Sequence, residues 1–333
     1  MDFDLRSHTM LLAVSGSRAY GTHRALSDVD VRGVAVPPAR YLHGFASHFE
    51  QADATEEVAV FASDLTEQEQ AISAQTKLDG SIYDLRKFAR LASECNPNIL
   101  DILFCRDSEL RLATPLGERL RASRDAFISV KARHTYAGYA MSQLKRIRSH
   151  RAWLLEPPTS EPMRSTFGLP EVSLLPKDQL AAAVAAHEQG LTLDDNLVLA
   201  MQRERSFKAA HRYWKQYQGW KKNRNPARAK LEEEHGFDTK HGAHLVRLLR
   251  MGREILQTGK VNVWRGDIDA DELKAIRAGA WTYDQLVENA EAELVALEQV
   301  ETSGEVVVPA EVDRNALDAL VVELVQAALE TQS

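Results

Sequence analysis

Two aspartates two residues apart in a β-branched run, Ser27-Asp28-Val29-Asp30-Val31-Arg32-Gly33-Val34, are the groups with the clearest capacity for chemistry in this chain. A strand turns successive side chains to opposite faces, so Asp28 and Asp30 project the same way. Neighbouring carboxylates repel. Either their pKa values rise or a cation sits between them, and Mg²⁺ favours carboxylate oxygens combined with substrate phosphates. Just upstream, Ala13-Val14-Ser15-Gly16-Ser17-Arg18-Ala19-Tyr20-Gly21-Thr22 carries an apolar run into a Gly-Ser pair that can start a helix. Gly16 lets the backbone approach a ligand closely, and Ser17 offers N–H groups and a hydroxyl to an anion. Phosphate on one side and metal on the other describe a nucleoside triphosphate site. A hairpin with solvated acids is the plainer alternative.

The elements that must position these groups are a strand through Leu11–Val14, a helix start at Gly16-Ser17 and a second strand through the aspartates. This order resembles the signature of the DNA polymerase β superfamily of nucleotidyltransferases. The resemblance implies that Asp28 and Asp30 bridge two Mg²⁺ (or Mn²⁺) ions and that Gly16 and Ser17 cradle the β- and γ-phosphates of an NTP. It also implies a third acid on a strand. Leu78 to Tyr83 reads as that strand, and Leu85, Phe88, Leu91 and Ala92 then recur at helical spacing. Asp79 fits the third acid best because it precedes the change from strand to helix, whereas Asp84 is the kind of acid found in a first helical turn. The catalytic and metal-binding set read here is therefore Asp28, Asp30 and Asp79.

A narrower resemblance, to nucleotidyltransferases associated with RNA-repair pathways, rests on Asp84-Leu85-Arg86-Lys87-Phe88, on Asn96-Pro97-Asn98-Ile99-Leu100-Asp101, and on Gly236-Phe237-Asp238-Thr239-Lys240-His241-Gly242-Ala243-His244-Leu245-Val246-Arg247-Leu248-Leu249. It spans roughly residues 8 to 300. In the last stretch Asp238 or Thr239 can cap a helix that sets Lys240, His244, Arg247 and Met251 on one face, with Leu245, Leu248, Leu249 and Leu256 buried. A row of cations without acids is poor helix stabilisation and suits a triphosphate or an RNA phosphate. Lys240, His244 and Arg247 are accordingly read as nucleotide contacts. Asp101 is read either as a support for the site or as an ordinary helix-face acid.

Charge is unevenly spread. The 333 residues carry a net charge of −7, yet residues 201–230 hold ten Lys or Arg against the single Glu204, and residues 301–333 hold seven acids against the single Arg314. Lys215, Lys221, Lys222, Arg224 and Arg228 are interleaved there with Trp214, Tyr217 and Trp220. Basic groups with aromatic faces are what single-stranded nucleic acid requires, so these cations and Trp220 form a candidate RNA surface. Core packing of the aromatics, which also recur at helical spacing, is the competing reading.

The expected architecture is α+β: a small mixed sheet with flanking helices over residues 1–125, then an all-helical domain over 126–333. Smaller expectations are a strand at Val58-Ala59-Val60-Phe61, a linker or extended lid over 154–176 and a final amphipathic helix over 316–329. Cys95 and Cys105 form neither a disulfide framework nor a zinc site, which points to a reducing cytoplasm, and no window approaches a membrane span. The function expected is transfer of a nucleoside monophosphate from an NTP to an acceptor hydroxyl, with an RNA end favoured. A protein hydroxyl as acceptor, as in toxin–antitoxin systems, and a non-catalytic nucleotide or RNA sensor are the alternatives.

Overall fold

The computed structural model describes residues 2–173, 177–190 and 192–332. In chain order the elements are β1 (Thr9–Ser15), α1 (Gly16–Ala19), β2 (Val29–Ala35), α2 (Ala39–His43), β3 (Gln51–Ala52), α3 (Thr55–Val58), α4 (Glu67–Ser73), β4 (Leu78–Asp84), α5 (Leu85–Ser93), α6 (Pro97–Phe104), β5 (Leu110–Ala113), α7 (Pro115–Ala122) and α8 (Lys131–Leu155). Then come α9 (Lys177–Glu188), α10 (Asp195–Lys222), α11 (Pro226–His235), α12 (Thr239–Thr258), α13 (Ala270–Arg277), α14 (Tyr283–Thr302) and α15 (Arg314–Gln332). They make two compact units, one of residues 1–146 with 239–333 and one of residues 147–238.

The first unit is built on a five-stranded sheet of order β3-β4-β2-β1-β5. Only β2 and β4 run parallel; the other pairs are antiparallel. This is the mixed sheet with helices expected from the sequence. Every residue of β1 is buried, as an apolar strand covered on both faces requires. One face of the sheet carries Leu12, Val14, Val29, Val31 and Ile82 into a core shared with Val58, Phe61 and Leu65. The expected strand at 58–61 is absent. Val58 closes α3 and a 3₁₀ turn follows over Ala59–Asp64, which puts the fully buried Val58 and Phe61 on one side, three residues apart. Their β-branched and aromatic character is spent on packing, so strand propensity gave way to tertiary context.

Local capping explains where the helices behind the sheet begin. Asp84 ends β4 and accepts hydrogen bonds from the N–H groups of Arg86 and Lys87 at the start of α5. Asn96 does the same for Asn98, with Pro97 at the first helical position of α6. In the second unit, residues 156–173 are irregular apart from a 3₁₀ turn at Arg164–Phe167, while 174–176 of the expected lid lie outside the described residues. The final helix is present as α15, with Leu317 and Leu324 buried. Among the described residues, no helix is long and apolar enough to cross a membrane.

Candidate nucleotidyltransferase site

The register of the sheet assembles the site. Asp30 on β2 pairs with Ser15 on β1 and with Asp79 on β4, so the three side chains form one row across three strands. Paired strands stand about 4.8 Å apart, which makes Asp30 and Asp79 close neighbours of like charge. Asp28 precedes β2 on the same face and is exposed. Arg18 of α1 braces its loop by donating to the carbonyl oxygens of Asp28 (3.3 Å) and Ser27 (2.8 Å). Burial pushes the Asp30 carboxyl above its ordinary value, and Asp28 and Asp79 add to the rise, while Arg32 and Lys240 oppose it. Asp79 is half exposed; it accepts from Lys77 Nζ at 3.2 Å and from the N–H of Gly80 at 3.0 Å.

Gly16 sits at φ +64°, and a Cβ there would lie 2.5 Å from Asp30 Oδ2. Only glycine lets the turn close against the carboxylate. Helix α1 is a single turn, Gly16–Ala19, whose Ser17 carbonyl accepts from the Thr22 N–H at 2.8 Å. Asp84, the other candidate third acid, stands five residues further along β4, about 16 Å away at strand rise. There it is buried, caps α5 and pairs with Arg86 Nε at 3.0 Å. The two acids therefore separate in a test. Asp79→Asn is expected to abolish transfer with an unchanged melt. Asp84→Asn is expected to leave transfer near normal and cost about 0.5–2 kcal/mol of stability, as lost caps do; the reverse pattern would move the assignment to Asp84.

The basic row on α12 runs from surface to interior. Lys240 is exposed, His244 half-buried, and Arg247 and Met251 buried. Arg247 lies over the Tyr20 ring at 3.6 Å and donates to Met251 Sδ (3.0 Å) and to His244 Nδ1 (3.1 Å). A guanidinium has only donors, so Nδ1 accepts and the His244 ring proton resides on Nε2. Burial, then Arg247, His241, Arg32 and Lys240, hold His244 well below the ordinary histidine range, hence neutral at pH 7. Tyr20 in turn donates to Asp101 Oδ2, and burial pushes that carboxyl up. Asp101 is thus a buried partner of Tyr20, the residue that follows α1.

In the second unit, Lys215, Lys221 and Lys222 are exposed on α10. Trp220 is half-buried and packs against His150, Trp153 and Tyr217, with ring centroids 5.5, 5.4 and 5.8 Å away. Arg224 covers the Trp220 ring at 4.9 Å and pairs with Glu232 at 3.0 Å, and Arg228 pairs with Asp238 at 3.3 Å. The first unit therefore holds Gly16, Asp28, Asp30, Asp79 and the α12 cations, and the second holds Lys215, Lys221 and Lys222, each exposed on α10.

Two contributors escaped the sequence reading. Arg32 follows Asp30 by two residues on the same strand face, a spacing legible in the alternation itself. The other is the loop at Trp264–Gly266: Trp264 lies where a Cβ on Gly21 would stand 2.7 Å from its ring, and the Arg265 N–H donates to the Tyr20 carbonyl at 3.1 Å. Nothing local in the sequence marks that long-range lock.

Carboxylate oxygens from three side chains suit Mg²⁺ or Mn²⁺ rather than softer metals. Among the described residues no three His, Cys, Asp or Glu side chains are drawn together around a single point, and Asp79 holds Lys77 instead. The donor chemistry fits.

A mixed sheet that sets paired aspartates beside a glycine turn, followed by a helical region, is consistent with the nucleotidyltransferase fold of the DNA polymerase β type. Residues 5–154 match the family model of the RNA repair pathway DNA polymerase beta family. The match includes Gly16, Ser17, Asp28, Asp30, Asp79 and Asp101; the α12 cations lie beyond it. No curated protein and no solved structure matches the chain.

Proposed function

We propose that the protein is a metal-dependent nucleotidyltransferase that moves a nucleoside monophosphate from an NTP to an acceptor hydroxyl, with an RNA end as the acceptor. The observation that carries this reading is the row of Asp30 and Asp79 in register on parallel strands, with Asp28 beside them and Gly16 closed against Asp30. Asp28, Asp30 and Asp79 would hold two Mg²⁺ or Mn²⁺ ions, which when bound supply charge for the triphosphate and lower the pKa of an acceptor hydroxyl. The turn at Gly16-Ser17 takes the β- and γ-phosphates. Lys240 adds positive charge beside Asp30, and neutral His244 offers an Nε2–H donor to a phosphate or ribose oxygen. Buried Arg247 acts through Tyr20 and His244, holding α1 and α12 together. In the transfer, the acceptor oxygen bonds to the α-phosphorus, the bond to the bridging oxygen breaks, and pyrophosphate leaves. The unpaired Cys95 and Cys105 accord with a reducing cytoplasm.

Incubation with each labelled NTP, Mg²⁺ or Mn²⁺, and RNA, DNA and protein acceptors tests the reaction in one gel; label on protein alone, or on nothing, would sink it. The RNA surface has its own test. Lys221→Glu with Lys222→Glu is expected to keep the melting temperature, since both are exposed, and to flatten the fall of log affinity with log salt by about 0.7 for each lost phosphate contact. Trp220→Ala is expected to cost about 2–3 kcal/mol because Trp220 is packed, so its effect on RNA reads as stability before stacking. An unchanged salt slope in the lysine variant would remove RNA from the reading.

A further inference from the structure

Buried polar atoms almost always find a hydrogen-bond partner, yet Ser15 Oγ, Arg32 Nη1, Asp101 Oδ1 and Tyr136 Oη have none. Arg32 is the cation of this group. On β2 it stands one row beyond Asp30, flanked in register by Ala13 on β1 and Ser81 on β4, whose short side chains do not wall it in. Its charge is felt by Asp30, Asp101, Tyr20 and His244. Among the described residues it nevertheless closes no hydrogen bond or ion pair with either carboxylate. Other guanidiniums of this unit are committed: Arg111 to Glu69, Arg121 to Asp107, Arg265 to Glu254 and Asp269, and Arg247 to Tyr20 and His244.

A guanidinium held beside carboxylates without being consumed by them has its planar fork free for an anion of matching geometry, and a phosphoryl group accepts two parallel N–H donors from it. We propose that Arg32 binds a phosphoryl group of the substrate next to Asp30. The inference rests on the nucleotidyltransferase reading and deepens it by assigning a cation that reaches the substrate from the sheet. Two sources carry this chemistry, the phosphates of the NTP and a terminal phosphate on the RNA acceptor.

The test is calorimetric binding to the full-length protein, the Arg32→Met and Arg32→Lys variants, with two probes: a non-hydrolysable NTP analogue with Mg²⁺, and oligoribonucleotides with and without a terminal phosphate. Arg32→Met is expected to weaken binding of a phosphate-bearing probe by roughly 10- to 100-fold, the size of a lost hydrogen bond to a charged group, with Arg32→Lys intermediate. Loss on the NTP analogue assigns the site to the nucleotide; loss confined to phosphorylated RNA assigns it to the acceptor end. Should Arg32→Met fail to fold, Arg32→Lys, which keeps the charge and loses the fork, carries the comparison. Affinities for both probes within about twofold of the parent in a folded variant overturn the inference alone. A parent protein that binds neither probe overturns the nucleotidyltransferase reading, and this inference with it.

Discussion

Asp30→Asn is expected to cut nucleotidyl transfer by at least about 10²–10³-fold, the loss typical of one preorganised electrostatic group, while raising the melting temperature of the metal-free protein. The two effects share a cause. Burial raises the Asp30 carboxyl and its like-charged neighbours Asp28 and Asp79 raise it further, so the ionised side chain opposes folding without a cation. A carboxyl whose folded pKa exceeds its unfolded value of about 3.9 destabilises the protein above the folded pKa, and the penalty fades as pH falls. The variant should therefore melt higher than the parent at pH 7 to 8, with the difference closing toward about pH 4. Calorimetric scans without divalent ions measure this. Retained transfer, or a lower melting temperature at neutral pH, would remove Asp30 from its role.

Arg265→Ala is expected to cost about 3–5 kcal/mol, because it removes a buried guanidinium from Glu254 and leaves Asp269 with Arg250 alone. Arg265 is fully buried; Nη1 and Nη2 reach both oxygens of Glu254 at 2.7 and 2.8 Å, and Nε reaches Asp269 at 2.7 Å. For a unit of this size the melting temperature should fall by roughly 6–20 °C. Acid sensitivity should change as well. Arg265 and Arg250 hold the Asp269 carboxyl below its usual range, a contribution present above the unfolded pKa and lost as pH falls through the folded one. The variant should thus lose less stability than the parent on acidification below about pH 4. A melting temperature within about 2 °C of the parent would show that the Trp264–Gly266 loop is held by packing alone.

What the sequence disclosed depended on how local the determinant was. Asp28-x-Asp30, the Gly16 turn, the strand read over Leu78–Tyr83 and the buried leucines of α12 are set by spacing within one element; the structure turns at Gly16, runs that strand one residue further to Asp84 and buries the leucines. Val58–Phe61 misled because β-branched and aromatic residues serve a helical turn against a core as readily as a strand. The aromatics of α10 were legible as a cluster, but Trp153, the ring they share, lies on another helix. That Asp79 faces Asp30, and that Arg265 reaches Tyr20, follow from register and tertiary closure rather than from any pattern along the chain.

Arg247 over the Tyr20 ring has a consequence for how the chain is made on the ribosome. The two partners are translated about 230 residues apart, so at roughly 5–20 residues per second the glycine turn and its tyrosine wait on the order of tens of seconds for the guanidinium that covers them. In that interval the Tyr20–Asp101 pair lies uncovered on its α12 side and the Gly21 turn lacks Trp264. A nascent chain that has passed residue 154 already contains the stretch that matches the family model, yet not Arg247 and Trp264. Vectorial synthesis alone therefore keeps the turn from Gly16 to Gly21 uncovered until Arg247 and Trp264 have emerged.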